Sequence, residues 1–126
     1  MLERKPDDEL TEKIIGAAIE VHRELGPGLL ESIYEEALCY EFDLRGIKYK
    51  RQEPADIFYK DHKISGFKLD LLVEDEVVLE LKAVTIPKDV VICQTISYLR
   101  ATKLKRGLII NFSAKRLIDG VKRVSV

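Results

Sequence analysis

In residues 7–25 the apolar side chains Leu10, Ile14, Ala17, Ala18, Val21 and Leu25 recur at the three-and-four spacing of one helix face. Asp7 or Asp8 is available as a cap, and Gly26 stops the helix where Gly26-Pro27-Gly28 turns the chain. The same period predicts a second helix over about Leu30 to Arg45, with Ile33, Tyr34, Ala37, Leu38 and Leu44 on its apolar side and Gly46 closing it. The pattern then changes to strand-like runs at 47–52, 55–60, 66–73 and 77–84, with Asp61-His62 and Glu74-Asp75-Glu76 as the turns. A third helix starts after Pro87 and covers 89–102. Residues 106–112 read as a buried strand, and the last dozen as a short helical turn with a final strand. Up to the buried strand the order is α-α-β-β-β-β-α-β, an α/β (α+β) chain whose mixed β-sheet is flanked by helices.

The two strand runs at 66–73 and 77–84 carry charge where a core hairpin should carry none. Side chains two apart share a face, so Val78, Glu80 and Lys82 point one way and Val77, Leu79 and Leu81 the other. In the preceding run Asp70 and Leu72 share one face, and Phe67, Leu69, Leu71 and Val73 the opposite one. A three-residue turn at 74–76 sets Val73 opposite Val77, Leu71 opposite Leu79 and Asp70 opposite Glu80, which makes one face wholly apolar. A two-residue turn mixes Glu80 into the face of Leu69, so the hydrophobic pattern itself selects the first register. Asp70 and Glu80 are then cross-strand neighbours with Lys82 beside them. Facing carboxylates repel unless a cation lies between them. Two readings follow: an edge salt bridge of Lys82 with both acids, or a hard divalent ion, of which magnesium takes one or two protein carboxylates plus water.

Composition narrows the class without deciding the chemistry. With 126 residues, 46% hydrophobic and 34% charged, the chain suits one globular domain spanning 1–126. No run reaches the length of a membrane span and the first ten residues have no apolar signal core, so a cytoplasmic protein without a membrane partner is expected. Cys39 and Cys93 stand far apart without a CxxC, as small buried thiols rather than zinc ligands or a disulfide. Neither His22 nor His62 has a motif around it. Net charge is −1, so no global field draws the chain to nucleic acid, but 48–52, 100–106 and 115–124 are locally basic.

Asp70, nine residues, then Glu80-Leu81-Lys82 resembles the D…ExK signature of the PD-(D/E)XK nuclease superfamily. Gln94 and Tyr98 form the Q-x-x-x-Y pattern of its RecB-like branches. Gly28, Glu31 and Tyr34 have the spacing of the GxxExxY family in that superfamily, and 24–38, 70–84 and 107–112 also resemble it. The resemblance implies a restriction-endonuclease-like core and a metal-dependent nuclease, acting on DNA rather than RNA with Mg2+ (or Mn2+). By that resemblance Asp70, Glu80, the Leu81 carbonyl and Glu31 would ligate the metal. Lys82 would orient the attacking water or stabilise charge on the phosphate, and Gln94 and Tyr98 would position water, Lys82 or the substrate backbone. Lys48, Lys50, Arg51, Arg100, Lys103 and Lys105 would form phosphate-contacting rims. The rival reading is a non-catalytic relative that binds nucleic acid or a protein partner, and a homodimer is compatible with it. Tyr34 is expected to be a core aromatic whose hydroxyl finds a partner, and Gly28 to serve turn geometry.

Overall fold

The computed structural model describes residues 6–126, with side chains from residue 9 onward. Two helices, α1 (Pro6–Leu25) and α2 (Glu31–Arg45), precede three strands, β1 (Tyr49–Tyr59), β2 (His62–Val73) and β3 (Val77–Lys82). Then come α3 (Lys88–Thr102), β4 (Arg106–Asn111), a 3-10 turn (Leu117–Gly120) and β5 (Val121–Ser125). The caps expected at Asp7 or Asp8 lie outside the described side chains. Gly46, at φ +71°, closes α2 in the left-handed conformation that glycine adopts without strain.

The strands form one five-stranded sheet in the order β1-β2-β3-β4-β5, antiparallel except for the parallel pair β3/β4 joined through α3. The four strand runs expected before the third helix are three. Residues 49–59 are one strand that passes straight through Pro54, because β1 is an edge strand and a missing amide on its open side breaks no ladder bond. After α3, the buried strand and the final strand are β4 and β5, with the helical turn between them.

Both faces of the sheet are covered. Helices α1 and α2 pack Ile14, Ala18, Tyr34, Leu38 and Phe42 onto Leu71, Val73, Leu79, Leu81, Leu108 and Ile110. Helix α3 packs Val91 and Leu99 onto Leu69, Leu72, Val78, Ile109 and Val124. Gly107 permits the close fit of α3: a Cβ there would stand 3.0 Å from Thr95 Cγ2 and 3.3 Å from the Val78 carbonyl oxygen. The buried stripe of α2 is Tyr34, Leu38, Cys39 and Phe42, whereas Ile33 and Leu44, expected inside, are exposed. Cys93, expected buried, is exposed on α3, while Cys39 is buried; both thiols are free.

Strand parity also fails at one place. Phe67 and Leu69 join the α3 cluster while Leu71 and Val73 join the other, so β2 changes faces across Asp70. Opposite this point, between the pairs Arg51–Leu71 and Glu53–Leu69, stands Gln52 with φ +51°. A non-glycine residue in the left-handed region inside a strand is strained, and such strain gathers at functional sites.

Candidate active site

The β2–β3 ladder pairs Val73 with Val77, Leu72 with Val78 and Leu71 with Leu79, then ends. Beyond it Asp70 Oδ2 accepts the Leu81 amide at 2.8 Å, so a side chain takes over the ladder's role where it stops. The ladder contains no Asp70–Glu80 pair, but the two residues are close enough for the Asp70 amide and the Asp70 charge both to act on the Glu80 carboxyl. Lys82, two residues on, shares the Glu80 face at the end of β3.

Glu80 is 5% exposed, and its Oε1 is buried without a hydrogen-bond partner. Burial, then the negative charges of Asp70 and Glu31, push its carboxyl from 4.5 up to about 8, against the opposing pull of Lys82 and the Asp70 amide. The Asp70 carboxyl is also raised, by burial foremost and by Glu35, while the Leu81 amide, Lys82 and Gln52 act the other way. Glu31, the first residue of α2, is raised by burial and by Asp70. These acids sense one another from β2, β3 and α2. Among the described residues Lys82 forms no ion pair with Asp70 or Glu80, so the edge salt bridge is not what holds this cluster. A buried, unpartnered carboxylate oxygen is expensive and is expected only where something else satisfies it.

Tyr98 comes in from α3. Its ring packs on Phe67 with centroids 4.2 Å apart, and burial together with the charges of Glu80 and Asp70 raises its hydroxyl. Gln94, one turn earlier, is exposed and forms no hydrogen bond among the described residues. Tyr34 is fully buried: its ring stacks on Phe112 at 4.4 Å, and its hydroxyl donates to the Gly26 carbonyl and accepts the Leu29 amide. It therefore pins the turn that delivers Glu31, and Gly28 in that turn has φ +107°.

The basic segments separate. Arg51 Nε donates to Glu35 Oε2 at 2.8 Å, Lys50 pairs with Asp75 at 2.9 Å, and Lys48 is exposed just before β1. Lys103 and Lys105 lie by Asp75 and Glu76, at the opposite end of β3 from Lys82, and Arg100 is in the last turn of α3. Chain direction explains this. The parallel crossover returns α3 to the start of β4, level with Val77, about 16 Å along β3 from Lys82 at 3.3 Å per residue.

Two residues beside the site were not singled out from the sequence. Glu35 is buried at 8% exposure on the inner face of α2, four residues after Glu31, and accepts from Arg51 and from Gln52 Nε2 at 2.6 Å. Its signal was hidden, because the buried stripe that contains it, Tyr34, Leu38, Cys39 and Phe42, is only in part the face that the apolar period picked out. Gln52, which bonds Glu35 and lowers the Asp70 carboxyl, carries no such signal because its distinction is a backbone angle.

Residues 8–124 match the family model of the PD-(D/E)XK nuclease superfamily. The chain belongs to that superfamily. No curated protein and no solved structure matches it. PD-(D/E)XK nucleases generally use divalent metal ions and act on nucleic acid. The described residues hold no ready-made set of three or more His, Cys, Asp or Glu ligands. Two carboxylates, one with an orphaned oxygen, suit an ion such as magnesium that keeps several waters. No helix among the described residues is long and apolar enough to cross a membrane.

Proposed function

We propose that this chain is a metal-dependent nuclease that hydrolyses phosphodiester bonds of nucleic acid, DNA in preference to RNA. The observation that carries it is Glu80: a buried carboxylate with an unpartnered oxygen, beside Asp70 and ahead of Lys82, which is unpaired among the described residues. Asp70, Glu80 and the Leu81 carbonyl, with Glu31 from α2, would hold Mg2+ or Mn2+. When bound, the ion supplies Lewis-acid stabilisation of the phosphate and lowers the pKa of water. Lys82 brings a positive charge to the open end of the same strand face, where it orients water or offsets charge on the phosphate oxygens. Tyr98 supports that face from α3, with Gln94 one turn away for the substrate backbone. Gln52, itself bonded to Glu35, supports Asp70 from the other side. The match over 8–124 and the single sheet support one domain over 1–126. The spacing of Gly28, Glu31 and Tyr34, with Tyr34 pinning the turn before Glu31, supports the GxxExxY family as the finer kinship.

One observation favours the second reading, a non-catalytic module for nucleic acid, a protein or a second copy. Lys50 and Arg51 are engaged in ion pairs, and Lys103 and Lys105 stand at the far end of the sheet. Manganese titration by calorimetry separates the two. Saturable binding to the wild type that is lost in Asp70→Asn, followed by cutting of DNA that also requires Lys82, is the expected result. Absence of binding to a folded wild-type chain would sink the catalytic reading.

A further inference from the structure

Past Lys82, on the α3 side of the sheet, a pocket of about 200 Å³ opens between the 85–88 segment, the start of α3, the end of β4 and residues 119–122. Three lysines, Lys82, Lys88 and Lys122, belong to its lining. Its one lining carboxylate, Asp119, is already held by Arg116 at 3.0 and 3.2 Å. The remaining wall is largely aliphatic, from Ile86, Ile92 and Ile109. The pocket is preformed. Asn111 ties its sides together, donating to the Val84 carbonyl at 2.9 Å and accepting from the Ser113 amide and hydroxyl at 3.0 and 2.7 Å. At Gly120 a Cβ would stand 2.2 Å from the Asn111 carbonyl oxygen, so only glycine fits that wall.

An inorganic anion would satisfy the lysines but leave the aliphatic wall wet. A nucleotide satisfies both, with its phosphate on the ammonium groups and its base or sugar on the isoleucines. We propose that this pocket binds one unpaired nucleotide adjacent to the phosphate held at Asp70, Glu80 and Lys82, so that the strand cut is single-stranded or frayed there. The proposal rests on the nuclease reading. Its size supports it: pockets for drug-sized ligands run from about 300 to 1,000 Å³, and this smaller one admits a single base and no base pair. A duplex must unstack and unpair a nucleotide to reach it, which weakens duplex binding relative to a single strand.

The test is fluorescence anisotropy of the full chain in EDTA with a labelled 15-nucleotide DNA strand and the same sequence as blunt duplex, over a range of salt. The wild type should bind the single strand about tenfold or more tighter than the duplex. Lys88→Gln with Lys122→Gln should weaken single-strand binding and reduce the salt slope by about 0.7 for each lysine–phosphate pair removed. Thr85→Trp, which places a large ring at the exposed mouth, should remove most of the preference for the single strand. Manganese binding, measured on each variant by calorimetry, should stay as in the wild type. Equal affinity for the two DNA forms, or an unchanged slope and affinity in the lysine double variant, overturns the subsite. Failure of the wild type to bind manganese overturns the nuclease reading instead, and the strand preference is then read separately.

Discussion

At the scale of single residues the site is a contest between burial and charge. Asp70 shows both sides: burial raises its carboxyl, and the Leu81 amide at 2.8 Å acts against that rise. The bond is also structural, because the Leu81 amide sits where the β2–β3 ladder has ended and has Asp70 as its partner. Asp70→Ala therefore leaves a buried donor without an acceptor, a loss of about 1–3 kcal/mol, whereas Asp70→Asn can keep the acceptor and lose only the charge. In urea denaturation without metal, Asp70→Ala should be the less stable of the two by about 1–2 kcal/mol. Both should lose manganese affinity. Equal stabilities would mean that the Leu81 amide finds water instead and that Asp70 has no structural part. This distinction between the roles of one side chain is invisible in the sequence, which shows a charge in an apolar run and nothing of its partner.

At the scale of elements, what was legible was what a local period determines. The register of the β2–β3 hairpin follows from parity and turn length, and the ladder has that register at all three of its pairs. The apolar face of α2 was less legible because two adjacent stripes are apolar, Ile33-Ala37-Leu44 and Tyr34-Leu38-Phe42, and periodicity cannot say which one meets the sheet. The face change at Asp70 was not legible at all, since it coincides with a left-handed Gln52 in a neighbouring strand, a backbone feature that no residue pattern marks. Tyr34 connects these elements. It reaches from α2 to Phe112 after β4, and the Phe112 amide donates to the Lys82 carbonyl at 2.8 Å. Its hydroxyl bonds both ends of the turn before Glu31. Tyr34→Phe keeps the stacked ring and deletes those two bonds, so it should reduce stability by about 1–2 kcal/mol. It should also weaken manganese binding several-fold by freeing the segment that sets Glu31. Wild-type stability in Tyr34→Phe by urea denaturation would show that the 26–30 turn holds itself.

At the scale of the whole molecule, the fold and the site are coupled through Glu80. Sheet closure on both faces, by α1 and α2 on one side and α3 on the other, is what buries that carboxylate, so the energy of the site enters the stability of the fold. A carboxyl whose folded-state pKa exceeds its unfolded value keeps its proton longer in the native state. Between pH 4.5 and about 8 the native protein then binds more protons than the unfolded chain, and stability falls as pH rises through that window. Below it both states are protonated and the effect vanishes; above it the full penalty is present. At 1.36 kcal/mol per pKa unit, the rise from 4.5 to about 8 sets an upper bound of about 5 kcal/mol. Asp70 and Glu31 are raised in the same direction and add to the trend. Glu20 and Asp119 are lowered by their arginine partners, so their contributions change only at lower pH. In EDTA, the wild-type urea midpoint should fall between pH 5 and pH 8, and that of Glu80→Gln should fall less, leaving the variant the more stable protein at pH 8. Manganese or magnesium at pH 8 should restore the wild type, because an ion between the carboxylates favours their charged forms, and should do little for Glu80→Gln. A wild-type midpoint that is flat across this range and indifferent to both metals would make Glu80 a neutral, structural carboxylic acid. It would also remove the observation on which the nuclease reading rests.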